Sequence, residues 1–153
     1  MAHSKLVTIA VIDDDQGHRE LVRRNLLRAG INNDIVDLTS GKEALDYIFC
    51  RGAFTNRTGD PELLVLLDIN MPGGMDGVEV LRQIKDDPET RKIPVIMLTT
   101  TDDPREINRC YELGCNVYVT KPVDPSAFIE AIHRLGLFIS IVNAPTGPLR
   151  LQR

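Results

Sequence analysis

The sequence has few of the features that mark disulfide-rich, zinc-finger, membrane or nucleic-acid-binding proteins. Its three cysteines form no CxxC pair and its three histidines are scattered, which excludes a disulfide framework and a finger-type zinc site. No apolar run reaches the roughly 18 residues of a membrane span, and the first residues lack a signal-peptide core. The net charge of -4 argues against nucleic-acid binding. We therefore expect a cytoplasmic protein that binds neither membrane nor nucleic acid, with Cys50, Cys110 and Cys115 buried as small apolar side chains.

Five short apolar segments alternate with segments of helical pattern along the 153 residues. The predicted strands are 6–12, 34–38, 63–67, 94–98 and 117–120, and the polar, glycine-bearing segment 51–62 is predicted to be a loop. The third strand is apolar throughout, as expected of a central parallel strand buried on both faces. This alternation predicts an α/β fold with a parallel sheet covered by helices on both faces. We expect one domain over 1–143, a short tail over 144–153 and no output domain.

Helix ends are marked by capping residues. Asp15 is predicted to be the N-cap of the first helix, and Asp103 followed by Pro104 opens the fourth. Gly114 is expected to follow the end of that fourth helix.

Polar residues follow four of the predicted strands at the point where each strand ends. They are Asp13, Asp14 and Asp15 after the first strand, Asp68 after the third, Thr99 after the fourth and Lys121 after the fifth. Ligands of open parallel sheets bind beyond the carboxyl ends of the strands. Adjacent strands lie about 4.8 Å apart, so acids from neighbouring strands would share one small pocket.

Several carboxylates in one pocket repel one another unless a cation joins them. Magnesium prefers oxygen ligands, keeps some of its waters and leaves room for a phosphate oxygen, so we expect Mg²⁺ there. Asp68 would then be both ligand and nucleophile, forming an aspartyl phosphate. Thr99 and Lys121 can donate to the phosphoryl oxygens.

Each of these residues alone has a less specific interpretation. An acidic run after a strand is most often a solvated loop, and a single Asp, Thr or Lys at a strand end is usually a turn, a cap or a solvated side chain. Gly73-Gly74 lacks the Gly-Lys-Ser/Thr ending of a phosphate-binding loop. The functional interpretation depends on all four positions occurring at the same edge of the sheet.

Five motifs resemble the signature of response-regulator receiver domains, from about residue 5 to about residue 135. They are Val11-Ile12-Asp13-Asp14-Asp15, Leu66-Leu67-Asp68-Ile69-Asn70-Met71-Pro72, Asp76-Gly77, Met97-Leu98-Thr99-Thr100 and Val119-Thr120-Lys121-Pro122. The resemblance implies a (βα)5 flavodoxin-like fold, a doubly wound parallel five-stranded sheet in the order 2-1-3-4-5. It also implies a phosphorelay protein of a two-component system that catalyses only its own phosphotransfer and dephosphorylation.

The resemblance also implies roles for particular residues. Asp68 would be the phospho-acceptor, and Lys121, before a cis Pro122, would contact the phosphate. The metal would be held by Asp14 directly, by Asp13 mostly through water, by Asp68 and by the main-chain oxygen of Asn70. Thr99 and Tyr118 would be the switch pair, with Thr99 moving toward the phosphoryl group and Tyr118 turning inward behind it.

One feature departs from the family pattern. The family usually has two residues between the proline after the phospho-acceptor and the Asp-Gly pair, and here Gly73-Gly74-Met75 makes three. The extra glycine lengthens a loop that lines the site, so the family's phosphate lifetime and partner fit are not carried over to this chain, whereas the role of Asp68 is.

A narrower resemblance is to the stand-alone regulators paired with bacterial phytochrome histidine kinases. It rests on the long segment 47–60, on 81–91 and on an apolar C-terminal helix, and it implies a histidine kinase as partner, with a bacteriophytochrome as the candidate. The output would be contact with a downstream protein or a phosphotransfer protein. Residues 135–142 are apolar on every side, which favours a homodimer through this helix and the face of the fourth helix, fifth strand and fifth helix.

Two other functions share parts of this pattern. A magnesium-dependent aspartyl-phosphate phosphatase or phosphotransferase of the haloacid-dehalogenase type would need Asp-x-Asp, where Asp68-Ile69-Asn70 has Asn. A flavin- or nucleotide-binding module would need a phosphate-cradling loop after the first strand, where three acids stand instead.

Overall fold

Five strands and five helices alternate along the residues that the computed structural model describes, which are 7–57, 62–71, 74–100, 103–121 and 125–135. The strands are β1 (Thr8–Ile12), β2 (Ile35–Leu38), β3 (Leu63–Asp68), β4 (Val95–Thr99) and β5 (Val117–Thr120). The helices are α1 (Gln16–Arg28), α2 (Gly41–Ile48), α3 (Gly77–Asp86), α4 (Pro104–Leu113) and α5 (Pro125–Leu135). The predicted alternation is therefore confirmed.

All five strands form one parallel sheet in the order β2-β1-β3-β4-β5, as the resemblance implied. The central strand β3 is buried at every one of its six positions, which explains its continuous apolar sequence. Because all the strands run the same way, their carboxyl ends meet at one edge of the sheet.

The core lies on both faces of the sheet because successive strand side chains point to opposite sides. Ile9 and Val11 of β1 belong to one buried cluster, whereas Ala10 and Ile12 belong to the other. In β3, Leu64 and Leu66 belong to the same cluster as Ile9, whereas Val65 and Leu67 belong to the same cluster as Ala10. A slip of one residue in either strand would exchange these two sets, so the apolar pattern fixes the register. The register in turn decides which residues stand side by side at the carboxyl ends of the strands.

The predicted helix ends are confirmed. Asp15 accepts a hydrogen bond from the His18 N–H at 3.0 Å as N-cap of α1, and this bond lowers the pKa of Asp15. Asp103 caps α4, which begins at Pro104, and Gly114 follows its end in the left-handed conformation at φ 107°.

The prediction that 51–62 is an irregular loop was wrong for its first half. Residues Gly52–Phe54 form a 3-10 turn that packs on α2, where the Phe54 ring meets the Tyr47 ring edge to face with centroids 5.1 Å apart. Arg57 covers the same Tyr47 ring at 4.3 Å and donates to the Tyr47 carbonyl. Aromatic and cation–π contacts to Tyr47 therefore order a segment whose own sequence is polar.

The prediction for the cysteines is confirmed for Cys110 and Cys115 and wrong for Cys50, which is half-buried. Cys50 adopts a positive φ of 55° just after α2, where the chain turns back toward the 3-10 turn. The turn places its side chain at the rim of the core and not inside it.

Helix α5 is described as far as Leu135. The rest of the predicted apolar segment 135–142 and the tail 144–153 therefore lie outside the described residues. Pro122, predicted to follow a cis peptide bond, lies outside them as well. Within the described ranges, no helix combines the length and the apolar character needed to cross a bilayer.

Candidate functional site

The carboxyl ends of β1 and β3 bring three acids together, as predicted. Asp13 and Asp14 follow β1, Asp68 ends β3, and one carboxylate oxygen from each lies within 4.8 Å of the others. Asp13 and Asp68 are buried, at 3% and 6% exposure, whereas Asp14 is exposed. The strands β1 and β3 are neighbours, and their register pairs Ile12 with Leu67, the last residue before the acids in each strand. This register places the acids side by side.

Lys121, just after β5, reaches the same acids from the other side. Its Nζ lies 2.9 Å from Asp13 Oδ2 and 3.5 Å from Asp68 Oδ1, and its side chain is only 10% exposed. Its backbone N–H donates to the Thr99 carbonyl at 2.8 Å, which fixes the chain of Lys121 against the end of β4. An ammonium group between two buried carboxylates is strongly held, because without it both carboxylates would lose their counter-charge.

The Asp13 segment is held by hydrogen bonds from three directions. The backbone N–H of Asp15 donates to Asp13 Oδ1 at 2.9 Å, and the Arg19 guanidinium donates from Nη1 to the Asp13 carbonyl at 2.8 Å. The Asp13 N–H donates to the Leu38 carbonyl of β2 at 3.0 Å. These bonds leave Asp13 Oδ2 directed to Lys121.

The N-terminus of α3 packs tightly behind Asp68. The N–H of Gly77 donates to the Ile69 carbonyl at 2.9 Å, and a Cβ at Gly77 would lie 2.0 Å from the Asp68 carbonyl oxygen. Position 77 therefore accepts glycine alone while the backbone of Asp68 stays in place.

Burial raises the pKa of the Asp68 carboxyl, and the charge of Asp13 adds to this effect. Lys121 and a hydrogen bond from the Asn70 N–H act in the opposite direction without cancelling it. The folded protein therefore binds a proton at Asp68 more tightly than the unfolded chain does, where the ordinary pKa is 3.8.

We predict that Asp68→Asn stabilises the metal-free protein at neutral pH. The stability that comes from a raised carboxyl pKa is fully present below pH 3.8, the ordinary pKa, and is lost as the pH rises through the folded-state pKa. Asparagine does not ionise, so the variant does not lose this stability. In the presence of a chelator at pH 7, the melting temperature of Asp68→Asn should exceed that of wild type by about 2–4 °C for each kcal/mol gained. The difference between the two melting temperatures should be smaller near pH 4. A variant less stable than wild type at pH 7 would contradict this reasoning.

The predicted switch residues lie next to each other. Thr99 is fully buried at the end of β4, and it is paired in the sheet with Thr120 of β5, two residues after Tyr118. The side chains of Thr99 and Tyr118 share a hydrogen bond, and burial raises the pKa of Tyr118 to about 12. Tyr118 also packs on the core, and its backbone N–H donates to the Tyr111 hydroxyl of α4 at 3.2 Å. These contacts link the end of β4 through β5 to the exposed Tyr111 of α4.

The lengthened loop before α3 is anchored at its end. Gly74 takes a positive φ of 108°, and the half-buried Met75 packs on the core beside α2. A Cβ at Gly41 would lie 3.1 Å from Met75, so the absence of a side chain at Gly41 makes room for Met75. Met75 thus anchors the loop that leads into α3 on α2 and the core.

The donor set fits a divalent cation. Three carboxylates, which are the oxygen ligands that hard cations prefer, share the site with the single ammonium group of Lys121. Their charge exceeds that of the ammonium, and Asp14 leaves the cluster open to solvent on one side. A divalent ion there would favour the charged carboxylate and so oppose both the burial and the Asp13 charge that raise the pKa of Asp68.

The family model of the response regulator receiver domain matches residues 9–133, which span all five strands and nearly all of α5. The chain belongs to this family. It is thus a response regulator of two-component signalling, and the receiver fold inferred from its motifs is confirmed.

This receiver is similar to the response regulator Rcp1 and to a bacteriophytochrome response regulator. It is 34% identical to response regulator Rcp1 of Synechocystis sp. over 113 residues, which cover 74% of this chain and 75% of Rcp1. The structure of the bacteriophytochrome response regulator AtBRR is 40% identical with a TM-score of 0.78, covering 88% of this chain and 96% of AtBRR.

Two further structures show relatives with a metal or a phosphoryl group. The Mn²⁺-bound form of Rcp1 is 29% identical with a TM-score of 0.70, covering 97% of this chain and all of that one. The phosphorylated cyanobacterial phytochrome response regulator RcpA is 31% identical with a TM-score of 0.72, covering 88% of this chain and 95% of RcpA.

Two residues at the site, Arg19 and His18, belong to none of the motifs, and a third, Gly77, belongs to a motif that gave it no role. Arg19 holds the Asp13 carbonyl, His18 lies beside Lys121, and Gly77 makes room for the Asp68 backbone. The signal for His18 was its place in the first turn of a helix that begins directly after the acids. Gly77 stood in a recognised Asp-Gly pair, but only the three-dimensional packing shows what its missing side chain does.

Proposed function

We propose that this response regulator accepts a phosphoryl group from a histidine kinase on Asp68. The observation that carries the proposal is the buried Asp68 carboxylate at the end of β3, beside a second acid and within 3.5 Å of the Lys121 ammonium. A nucleophilic carboxylate, a cation for the transferred group and a metal-type acid cluster are the parts that phosphoryl transfer to aspartate needs.

In the proposed reaction, an Asp68 carboxylate oxygen attacks the phosphorus of a phosphohistidine. A P–O bond to Asp68 forms, the P–N bond to the imidazole breaks, and the imidazole leaves with a proton. Lys121 would place its ammonium against a phosphoryl oxygen and Thr99 would donate its hydroxyl to another. Water later hydrolyses the acyl phosphate and restores the Asp68 carboxylate.

Mg²⁺ is the proposed cofactor, with Asp14 and Asp68 as side-chain ligands, the main-chain oxygen of Asn70 as a further ligand and Asp13 acting mostly through water. When bound, it would neutralise charge on the transferring group. The Mn²⁺-bound form of the relative Rcp1 and the acid cluster of this chain both support a divalent ion.

The proposed output is a change in the face formed by α4, β5 and α5. Thr99 ends β4 beside the backbone of Lys121, and its side chain shares a hydrogen bond with Tyr118 of β5, so displacement of Thr99 toward a phosphoryl group would break or redirect this bond. We propose a downstream protein or phosphotransfer protein as the partner that reads this change, in the cytoplasm. The likeness to AtBRR, RcpA and Rcp1 supports a bacteriophytochrome kinase as the phosphodonor.

The homodimer stays a prediction, because the apolar segment that suggested it lies beyond the described part of α5. Removing the residues after Leu135 should convert a dimer into a monomer in light scattering. An unchanged mass in solution would refute this interface.

The proposed function is tested with acetyl phosphate, which replaces the kinase as donor. Wild type should gain one phosphoryl group by intact mass in the presence of Mg²⁺ and none in the presence of a chelator. Asp68→Asn should gain none under either condition. An equal gain in both proteins, or none in wild type, would overturn the proposal.

A further inference from the structure

We propose that His18 is a positioning residue that holds the ammonium group of Lys121 in place for phosphoryl transfer. This inference rests on the proposed function, because Lys121 is the group that would meet the phosphoryl oxygen. The ring nitrogen Nδ1 of His18 lies 3.3 Å from Lys121 Nζ, across 103 residues of sequence.

The chemistry of the two groups fixes the direction of the hydrogen bond. An ammonium group has three N–H donors and no acceptor, so in a hydrogen bond between these two groups Lys121 donates and His18 Nδ1 accepts. The same Nδ1 is 3.7 Å from Asp13 Oδ2, which is longer than a hydrogen bond. His18 therefore interacts with the acids through Lys121 and not by donating to Asp13.

Lys121 thus has three partners for its three donors. Asp13 Oδ2 lies at 2.9 Å, His18 Nδ1 at 3.3 Å and Asp68 Oδ1 at 3.5 Å. The two carboxylates attract the ammonium inward, and His18 contacts it through the ring nitrogen Nδ1. Without His18, one donor loses its partner and the ammonium is free to reorient around Asp13, its nearest partner.

The backbone fixes His18 at this place. His18 is in the first turn of α1, and its N–H donates to the Asp15 N-cap at 3.0 Å, so its Cα is held three residues beyond the acids. About half of its side chain is exposed, at 48%, compared with 10% for Lys121. The imidazole therefore covers the solvent side of Lys121, and replacing it disturbs little of the core.

Two variants separate the acceptor from the shape of the ring. His18→Asn keeps an acceptor, because Asn Oδ1 can occupy the position of Nδ1, whereas His18→Phe keeps a ring and has no acceptor. With acetyl phosphate and saturating Mg²⁺, the phosphorylation rate of His18→Phe should be about three- to tenfold lower than that of wild type. His18→Asn should stay within about twofold, which a merely structural role of the ring would not produce.

The mobility of the Lys121 ammonium is the second readout and needs no phosphoryl transfer. Its NMR order parameter should fall in His18→Phe and stay near the wild-type value in His18→Asn. Melting temperatures of all three proteins serve as the folding control. An order parameter unchanged in His18→Phe, or a rate in His18→Asn as low as in His18→Phe, would overturn the proposal. If wild type fails to be phosphorylated, the proposed function fails, and the order parameters still decide whether His18 holds Lys121.

Discussion

Replacing Gly77 with alanine should destabilise the protein severely and should stop phosphoryl acceptance at Asp68. Alanine favours helices over glycine by about 1 kcal/mol, so helix propensity alone predicts a gain at this first position of α3. The added Cβ, however, would stand 2.0 Å from the Asp68 carbonyl oxygen, where such contacts essentially never fall below 3.0 Å. Steric repulsion from a backbone atom outweighs propensity, because no flexible side chain can move away.

We expect a loss of about 3 kcal/mol or more in the free energy of unfolding, measured by denaturant titration. Any variant that folds must shift the Asp68 backbone by about 1 Å, which would lower the phosphorylation rate about a hundredfold. Gly17→Ala is the matched control, because its Cβ in the first turn of α1 would meet only the Asp15 side chain at 3.2 Å. A Gly77→Ala protein as stable as Gly17→Ala would show that α3 does not constrain Asp68.

Replacing Lys121 with methionine should separate metal binding from phosphoryl acceptance. Methionine keeps an unbranched apolar chain and removes the ammonium that joins Asp13 and Asp68. Loss of one preorganised charged donor typically lowers such rates about 10²- to 10³-fold, and we expect that loss with acetyl phosphate as donor.

Binding of Mg²⁺ should change in the opposite direction. The ammonium and a divalent cation compete for the same carboxylates, so its removal should tighten Mg²⁺ binding by about three- to tenfold in calorimetry. Lys42→Met is the matched control for net charge, because Lys42 is 81% exposed and pairs with Asp46 away from the site. Weaker Mg²⁺ binding in Lys121→Met, or a rate equal to that of Lys42→Met, would contradict the role assigned to Lys121.

The sequence was sufficient to predict the sheet and most of the acid cluster. The apolar run 63–67 could only be a doubly buried strand, and acids placed directly after strands must meet at one edge of a parallel sheet. Asp13, Asp14, Asp68 and Lys121 were therefore predicted from strand ends and motifs together, and the structure brings them into contact.

The remaining features depend on contacts between distant segments, which local patterns do not encode. The ordered turn at Gly52–Phe54 needs Tyr47, and the contact of His18 with Lys121 needs the register of β1 against the other strands. The role of Gly77 depends on how closely α3 approaches β3, and that distance is a property of packing. Met75 filling the space above Gly41 is a further example.

The most direct test of the account is to locate the phosphoryl group in the wild-type chain. After phosphorylation with acetyl phosphate and Mg²⁺, borohydride reduces an acyl phosphate to an alcohol, so a phosphorylated aspartate becomes homoserine. Tandem mass spectrometry of the digested protein should find homoserine at position 68 and aspartate at positions 13 and 14. Homoserine at another position, with unmodified Asp68, would contradict the assignment of Asp68 as the phospho-acceptor.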